Sequence, residues 1–160
     1  MSKVQYKDLR EWLKVVEDTG ELRCVEGATW QEDIGMATEL LNHTPQAPAA
    51  LFDSIPGYPK GFRVLTNALL SNNRLAITFG LKKGLSKFDL STELYKRTEG
   101  QKPLPPVYVE SGPIMENVLE GEAVDVLKFP TPKWHEEDGA DTSARAVTTS
   151  RGTLTRAGLT

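Results

Sequence analysis

The chain has 160 residues, is 39% hydrophobic and 26% charged, and carries a formal net charge of −3, ordinary values for one globular unit with an appendage. Residues 1–139 hold 16 Lys/Arg against 21 Asp/Glu, an acidic body that argues against nucleic acid and anionic membranes as partners. A single cysteine excludes an internal disulfide, and neither a secretory leader nor a membrane-length apolar run is present, so the chain reads as cytoplasmic.

The first predicted element is "YKDLREWLKVVEDTGEL". Leu9, Trp12, Leu13 and Val16 fall at i, i+3, i+4, i+7, one apolar stripe of a helix closed by Gly20. "ELRCVE" reads as a strand, with Cys24 as a small buried hydrophobe rather than a reactive thiol, because no histidine lies near it in sequence. In "TWQEDIGMATELLNH", Thr29 and Glu32 have capping-box spacing, and Trp30, Ile34, Ala37 and Leu41 form an apolar face that Pro45 and Pro48 terminate. "AALFDSI" and "FRVLTN" are strand candidates around the turn-rich "PGYPKG". Asn73, or Asn72, is the expected cap of a short helix through "RLAITFG". "SKFDLSTELYKRTEG" is a further helix with Phe88, Leu94 and Tyr95 as core contacts and Gly100 as its stop.

Beyond Gly100 the helical period vanishes. Six of the ten prolines lie from Pro103 to Pro132, and "PLPPVYVESGP", "ENVLEGEAVDVLKFPTP" and "KWHEEDG" read as short extended pieces. Catalytic signals are few. His43, beside Pro45, is expected at a helix terminus or on the surface. The cluster from His135 through Glu136 and Glu137 to Asp138 places at most two side chains on one side of an extended chain, too few for a structural metal site. No phosphate loop, nucleophile elbow or zinc-protease motif is present. No catalytic, cofactor-binding or metal-ligating residue is assigned.

The ordered series "DLREWLKVVEDTGEL", "PAALFDSIPGYPKGFRVLTN", "LAITFGL" and "PPVYVESGPIMENVLEGEAVDVLKFPTPKWHEEDG" resembles the N-terminal part of the UbiD-type decarboxylases and covers nearly all of residues 6–139. The resemblance implies an α+β fold: an N-terminal mixed α/β domain over residues 1–102, then the first strands of an incomplete flavin-binding β-barrel over 103–139. It implies non-oxidative decarboxylation of an aromatic or α,β-unsaturated carboxylic acid by the intact family. The intact family uses prenylated FMN and a divalent metal, manganese, and its members self-associate into homo-oligomers. The cofactor and catalytic region lies downstream in that family, so none is expected bound to this chain, and residues 103–138 are expected to be loosely held.

Residues 140–160 depart from the family pattern. Seventeen of these 21 residues are Ala, Thr, Ser, Arg or Gly. Reading the third base of each codon with the first two of the next permits the family's G-R-Y-I-G-T-G and I-T-R-D-P-D residues at consecutive junctions. The tail therefore reads as a decarboxylase gene out of frame after a single-base loss near Gly139, and is expected to be disordered and the chain inactive alone. The alternative is a non-catalytic interaction or assembly module for a full-length decarboxylase subunit.

Overall fold

The computed structural model describes residues 4–135 and 138. In chain order they form α1 (Leu9–Asp18), β1 (Leu22–Glu26), α2 (Asp33–Asn42), β2 (Ala49–Asp53), β3 (Val64–Thr66), α3 (Asn72–Phe79) and α4 (Lys87–Thr98), followed by short 3-10 turns at Pro113–Met115, Gly121–Ala123 and Val126–Lys128. The strand order is β1-β2-β3. β1 runs parallel to β2, with Leu22 opposite Ala49 and Glu26 opposite Asp53, whereas β3 runs antiparallel, with Ala50 opposite Thr66. A parallel pair needs a crossover, and α2 supplies it.

β2 explains the layering. Its "AALF" run is buried throughout, as expected of a strand covered on both faces. Ala49 and Leu51 point to one side, where they meet Leu22, the α1 residues Trp12, Leu13 and Val16, and Ile77 of α3. Ala50 and Phe52 point to the other, where they meet Ala28, Ile55 and Ile34 of α2, with Ala37 and Leu41 at its margin. The result is a small α/β/α sandwich. Within the α1–α3 layer, the Trp12 indole N–H donates to Thr78 Oγ1 at 3.0 Å and the Tyr6 hydroxyl to the Thr78 carbonyl at 2.8 Å. The buried hydroxyls of Thr38 on α2 and Thr66 on β3 are hydrogen-bonded at 3.1 Å.

The helix ends refine the sequence reading. Asp8 caps α1, its Oδ1 accepting from the Glu11 amide at 2.9 Å, and Gly20 takes the left-handed φ of 74° beyond the last turn. Leu9, assigned to the apolar stripe, is 59% exposed. α2 begins at Asp33, and the partner of Thr29 is Asp33 rather than Glu32: the Thr29 amide and hydroxyl both donate to Asp33 Oδ2 at 2.8 Å. A wide turn causes the shift, since the Ile34 amide reaches back to the Thr29 carbonyl. α3 is capped by Ser71, whose Oγ accepts from the Arg74 amide at 3.1 Å, and not by Asn72 or Asn73, which lie inside the helix.

α4 corrects a core assignment. Ser86 caps it, but Phe88 and Tyr95 are 79% and 65% exposed, whereas Leu90 is buried and Leu94 half-buried. The helix packs along Leu90, Leu94 and Arg97, whose guanidinium donates to the Phe79 and Gly80 carbonyls that end α3. Phe88 and Tyr95, seven positions apart, share the opposite face.

Residues 103–128 are exposed at nearly every position, and none of the described residues from 103 onward forms a strand. The expected barrel strands are therefore not confirmed; a strand exists only by hydrogen bonding to a neighbour, and this stretch pairs with none of the three described strands. The expectation of loose attachment fails for residues 129–134. There the Phe129 ring lies 6.0 Å from that of Phe62, Pro130 and Pro132 are buried, and the Lys133 amide donates to the Trp30 carbonyl at 2.9 Å.

The opposite environments of two phenylalanines give a direct check. Phe52→Ala should destabilise the chain by about 3–5 kcal/mol through lost transfer energy and a cavity, whereas Phe88→Ala should stay within about 0.5 kcal/mol. Urea denaturation of both variants measures the difference.

Candidate functional site

The polar residues singled out in the sequence stand apart in the fold. His43 ends α2 and is exposed, its Nε2 3.0 Å from Glu39 Oε1 one turn earlier. His135 is likewise exposed, and its ring lies 3.5 Å from Asp138 Oδ2. The His135 amide also donates to that carboxylate at 3.0 Å. This is a local turn closed on itself, which leaves no geometry for shared ligation with His43. Glu136 and Glu137 lie outside the described residues. Among the described residues, no group of three His, Cys, Asp or Glu side chains could hold a metal ion.

Cys24 is exposed rather than buried. β1 is an edge strand, and α1 covers its face only near Leu22. Cys24 therefore opens into a cleft of about 510 Å3, lined also by Arg10, Lys14, Glu17, Glu26, Asp53 and Arg63. Cations and carboxylates balance there, and no histidine lines the cleft to activate the thiol.

The densest polar arrangement is centred on Arg74, which sequence reasoning missed. Its side chain is fully buried. Nη1 donates to Glu21 Oε2 at 2.8 Å, Nη2 to the carbonyls of Ala47 and Asn67, and Nε to the Ala68 carbonyl at 3.2 Å. Glu21 also accepts from the Ser71 hydroxyl and from Asn73 Nδ2. One guanidinium thereby joins the entrances of β1 and β2, the exit of β3 and the first turn of α3. A faint signal existed: a cation in the first turn of a helix opposes the macrodipole, so it needs a compensating partner elsewhere.

Burial opposes ionisation of Glu21, but hydrogen bonds from Ser71 and Asn73, with the charge and hydrogen bond of Arg74, outweigh it and hold the carboxyl below its ordinary range. Burial pulls the Arg74 guanidinium down, and Glu21 opposes that pull. Chemically this is a structural tie, with the guanidinium wholly enclosed and the carboxylate mostly so.

Comparison with known proteins supplies what the polar residues do not. Residues 13–94 match the family model described as the 3-octaprenyl-4-hydroxybenzoate carboxy-lyase N-terminal domain. The chain belongs to the UbiD family. Its curated UbiD-family relatives include the pyrrole-2-carboxylic acid decarboxylase of Pseudomonas aeruginosa, 36% identical over 116 residues, which are 67% of this chain and 23% of that protein. The phenolic acid decarboxylase of Sedimentibacter hydroxybenzoicus is 36% identical over 143 residues, 87% of this chain and 29% of that protein. The chain thus spans less than a third of the length of these relatives. Among solved structures, the vanillic acid decarboxylase of S. hydroxybenzoicus matches with a TM-score of 0.70 in both its open and closed forms, at 34% identity, over 84% of this chain and 28% of that one. Among the described residues, no helix is long and apolar enough to cross a membrane.

The Glu21–Arg74 tie makes a signed prediction. A carboxyl held below its ordinary value of 4.5 contributes stability that is present above that value and lost as pH falls through the folded-state value. Glu21→Gln should therefore flatten the loss of stability below about pH 4.5 relative to wild type. Arg74→Met should destabilise by about 3–5 kcal/mol at neutral pH, because it leaves a half-desolvated carboxylate and carbonyls without their donor. Urea midpoints between pH 3 and 7 test both.

Proposed function

We propose that this chain carries the N-terminal α/β unit (residues 1–102) and the entry into the following region (103–139) of a UbiD-type decarboxylase. The intact enzyme would release carbon dioxide from an aromatic or α,β-unsaturated carboxylic acid. The observation that carries the reading is the family match across residues 13–94, with decarboxylases as the relatives at 36% identity.

Such enzymes use prenylated FMN, which supplies the electron sink for decarboxylation, with a divalent metal at its phosphate. The described residues do not fit that group. They bring no three metal-ligating side chains together. The apolar cleft of about 330 Å3 bounded by Tyr6, Asp8, Leu9, Trp12, Ala68, Leu69 and Thr78 presents a carboxylate and no cation to a phosphate. The cleft beside α4 is lined by Lys82, by Lys96, paired with Glu93, and by Arg97, bound to backbone carbonyls, and it sets the carboxylates of Asp89 and Glu93 among these cations. We assign the cofactor's seat to the part of the relatives' length that this chain does not span, and the catalytic groups with it. The α/β unit then has a positional role, and this chain alone is inactive.

The reading of residues 140–160 as decarboxylase codons in a shifted frame belongs to the same proposal; these residues lie outside the described ones. The exposed Phe88 and Tyr95 on α4 support a second reading, an assembly module docking on a full-length decarboxylase subunit.

Nucleotide sequence across codons 135–165 should reveal a frame that, with one base restored near Gly139, continues through the family's Y-I-G-T-G for hundreds of codons. The 160-residue chain should purify without flavin absorbance and release no carbon dioxide from aromatic acids, whereas the restored-frame product should retain flavin and release carbon dioxide. Absence of such a frame overturns the shifted-tail reading. Flavin retention and turnover by the short chain overturn its inactivity, and flavin-free co-purification with a longer subunit selects the assembly module.

A further inference from the structure

Gly35 lies in the first turn of α2, where residues 133 and 134 cross the helix. A Cβ added at Gly35 would press into the Lys133 carbonyl oxygen and stand 3.1 Å from the Trp134 carbonyl oxygen and 3.2 Å from its Cα. Every opposing atom is backbone, so no change of rotamer could make room. The seat has other anchors. The Lys133 amide donates to the Trp30 carbonyl at 2.9 Å, Pro130 and Pro132 are buried, and Phe129 meets Phe62. By contrast, residues 103–128 are exposed almost without interruption. The chain thus leaves the α/β unit after α4, makes a long excursion, and returns to a fitted position about a hundred residues in sequence from the glycine that receives it.

We propose that residues 129–134 are a strap locked into the Gly35 slot, so that the α/β unit itself, and not the excursion, sets where the chain departs toward whatever follows residue 135. A flexible excursion of this length tolerates changes of length at little entropic cost. Its exposed stretch cannot aim the downstream chain, whereas a backbone-to-backbone seat can. Seated, the strap fixes the exit beside the first turn of α2. This inference stands on geometry within the chain and does not depend on the decarboxylase reading.

Hydrogen exchange on the 160-residue chain tests it without reference to activity. The Lys133 amide should exchange at least about tenfold more slowly than in an unstructured peptide, as a seated hydrogen bond requires. Gly35→Ala should bring it to within about twofold of the unstructured rate while the Leu51 and Phe52 amides of β2 keep their protection. An unprotected Lys133 amide in wild type, or equal protection in Gly35→Ala, overturns the strap. If Gly35→Ala also exposes β2, Lys133→Pro decides, because it removes the donated N–H and leaves α2 intact. After a proteolytic cut within residues 103–128, the C-terminal piece should stay bound to the wild-type unit and separate from the Lys133→Pro variant. Retention in both, or loss in both, overturns the proposal.

Discussion

The buried Arg74 guanidinium is the constraint around which the α/β unit is arranged. A planar fork with several donors can serve a carboxylate and carbonyls from separate segments at once, which the single point charge of a lysine cannot do with the same directionality. Here it serves Glu21 at the entrance to β1, Ala47 at the entrance to β2, and Asn67 and Ala68 after β3. At Ala47, Asn67 and Ala68 the backbone leaves regular structure, and the guanidinium satisfies carbonyls there that lie beside the core. A charge this deeply placed is tolerated only because every side of it is answered.

From that tie the sheet and its layers follow. Holding the starts of β1 and β2 together fixes the parallel register, and the parallel register requires α2 to cross over one face. Trp12, Val16 and Ile77 then close the other face against Leu22, Ala49 and Leu51. The unit's polar groups are spent on internal ties: Thr38 to Thr66, Trp12 to Thr78, Arg97 to the end of α3. Such ties hold the shape of the unit. It accords with this that the vanillic acid decarboxylase matches equally, with a TM-score of 0.70, in its open and closed forms. Under the proposed reading, the reacting groups belong to the rest of the enzyme and this unit positions them; the seated residues 129–134 would be the joint between the two.

Much of the architecture was legible in the chain. The period of Trp12, Leu13 and Val16, the unbroken apolar run of β2 and the glycine after α1 each follow from local rules of helix periodicity, two-sided burial and backbone freedom, whereas the ordered motif series carried the resemblance to the family. Those rules operate over a few residues and are written in them. They gave the helices and strands of the first hundred residues, but they erred on which faces count. Phe88 and Tyr95 are large yet lie away from the contact that Leu90 makes, and Cys24 sits on an edge strand that α1 covers only near Leu22.

The sequence by itself determined the element order, the apolar segments that can be buried, and membership in the UbiD family, because periodicity and motif order are properties of neighbouring residues. Only the tertiary structure decided that Arg74 meets Glu21, that Gly35 must lack a side chain, and that residues 129–134 return to α2. Each of these rests on atoms brought together from distant parts of the chain, and spacing along a sequence carries no record of such distances.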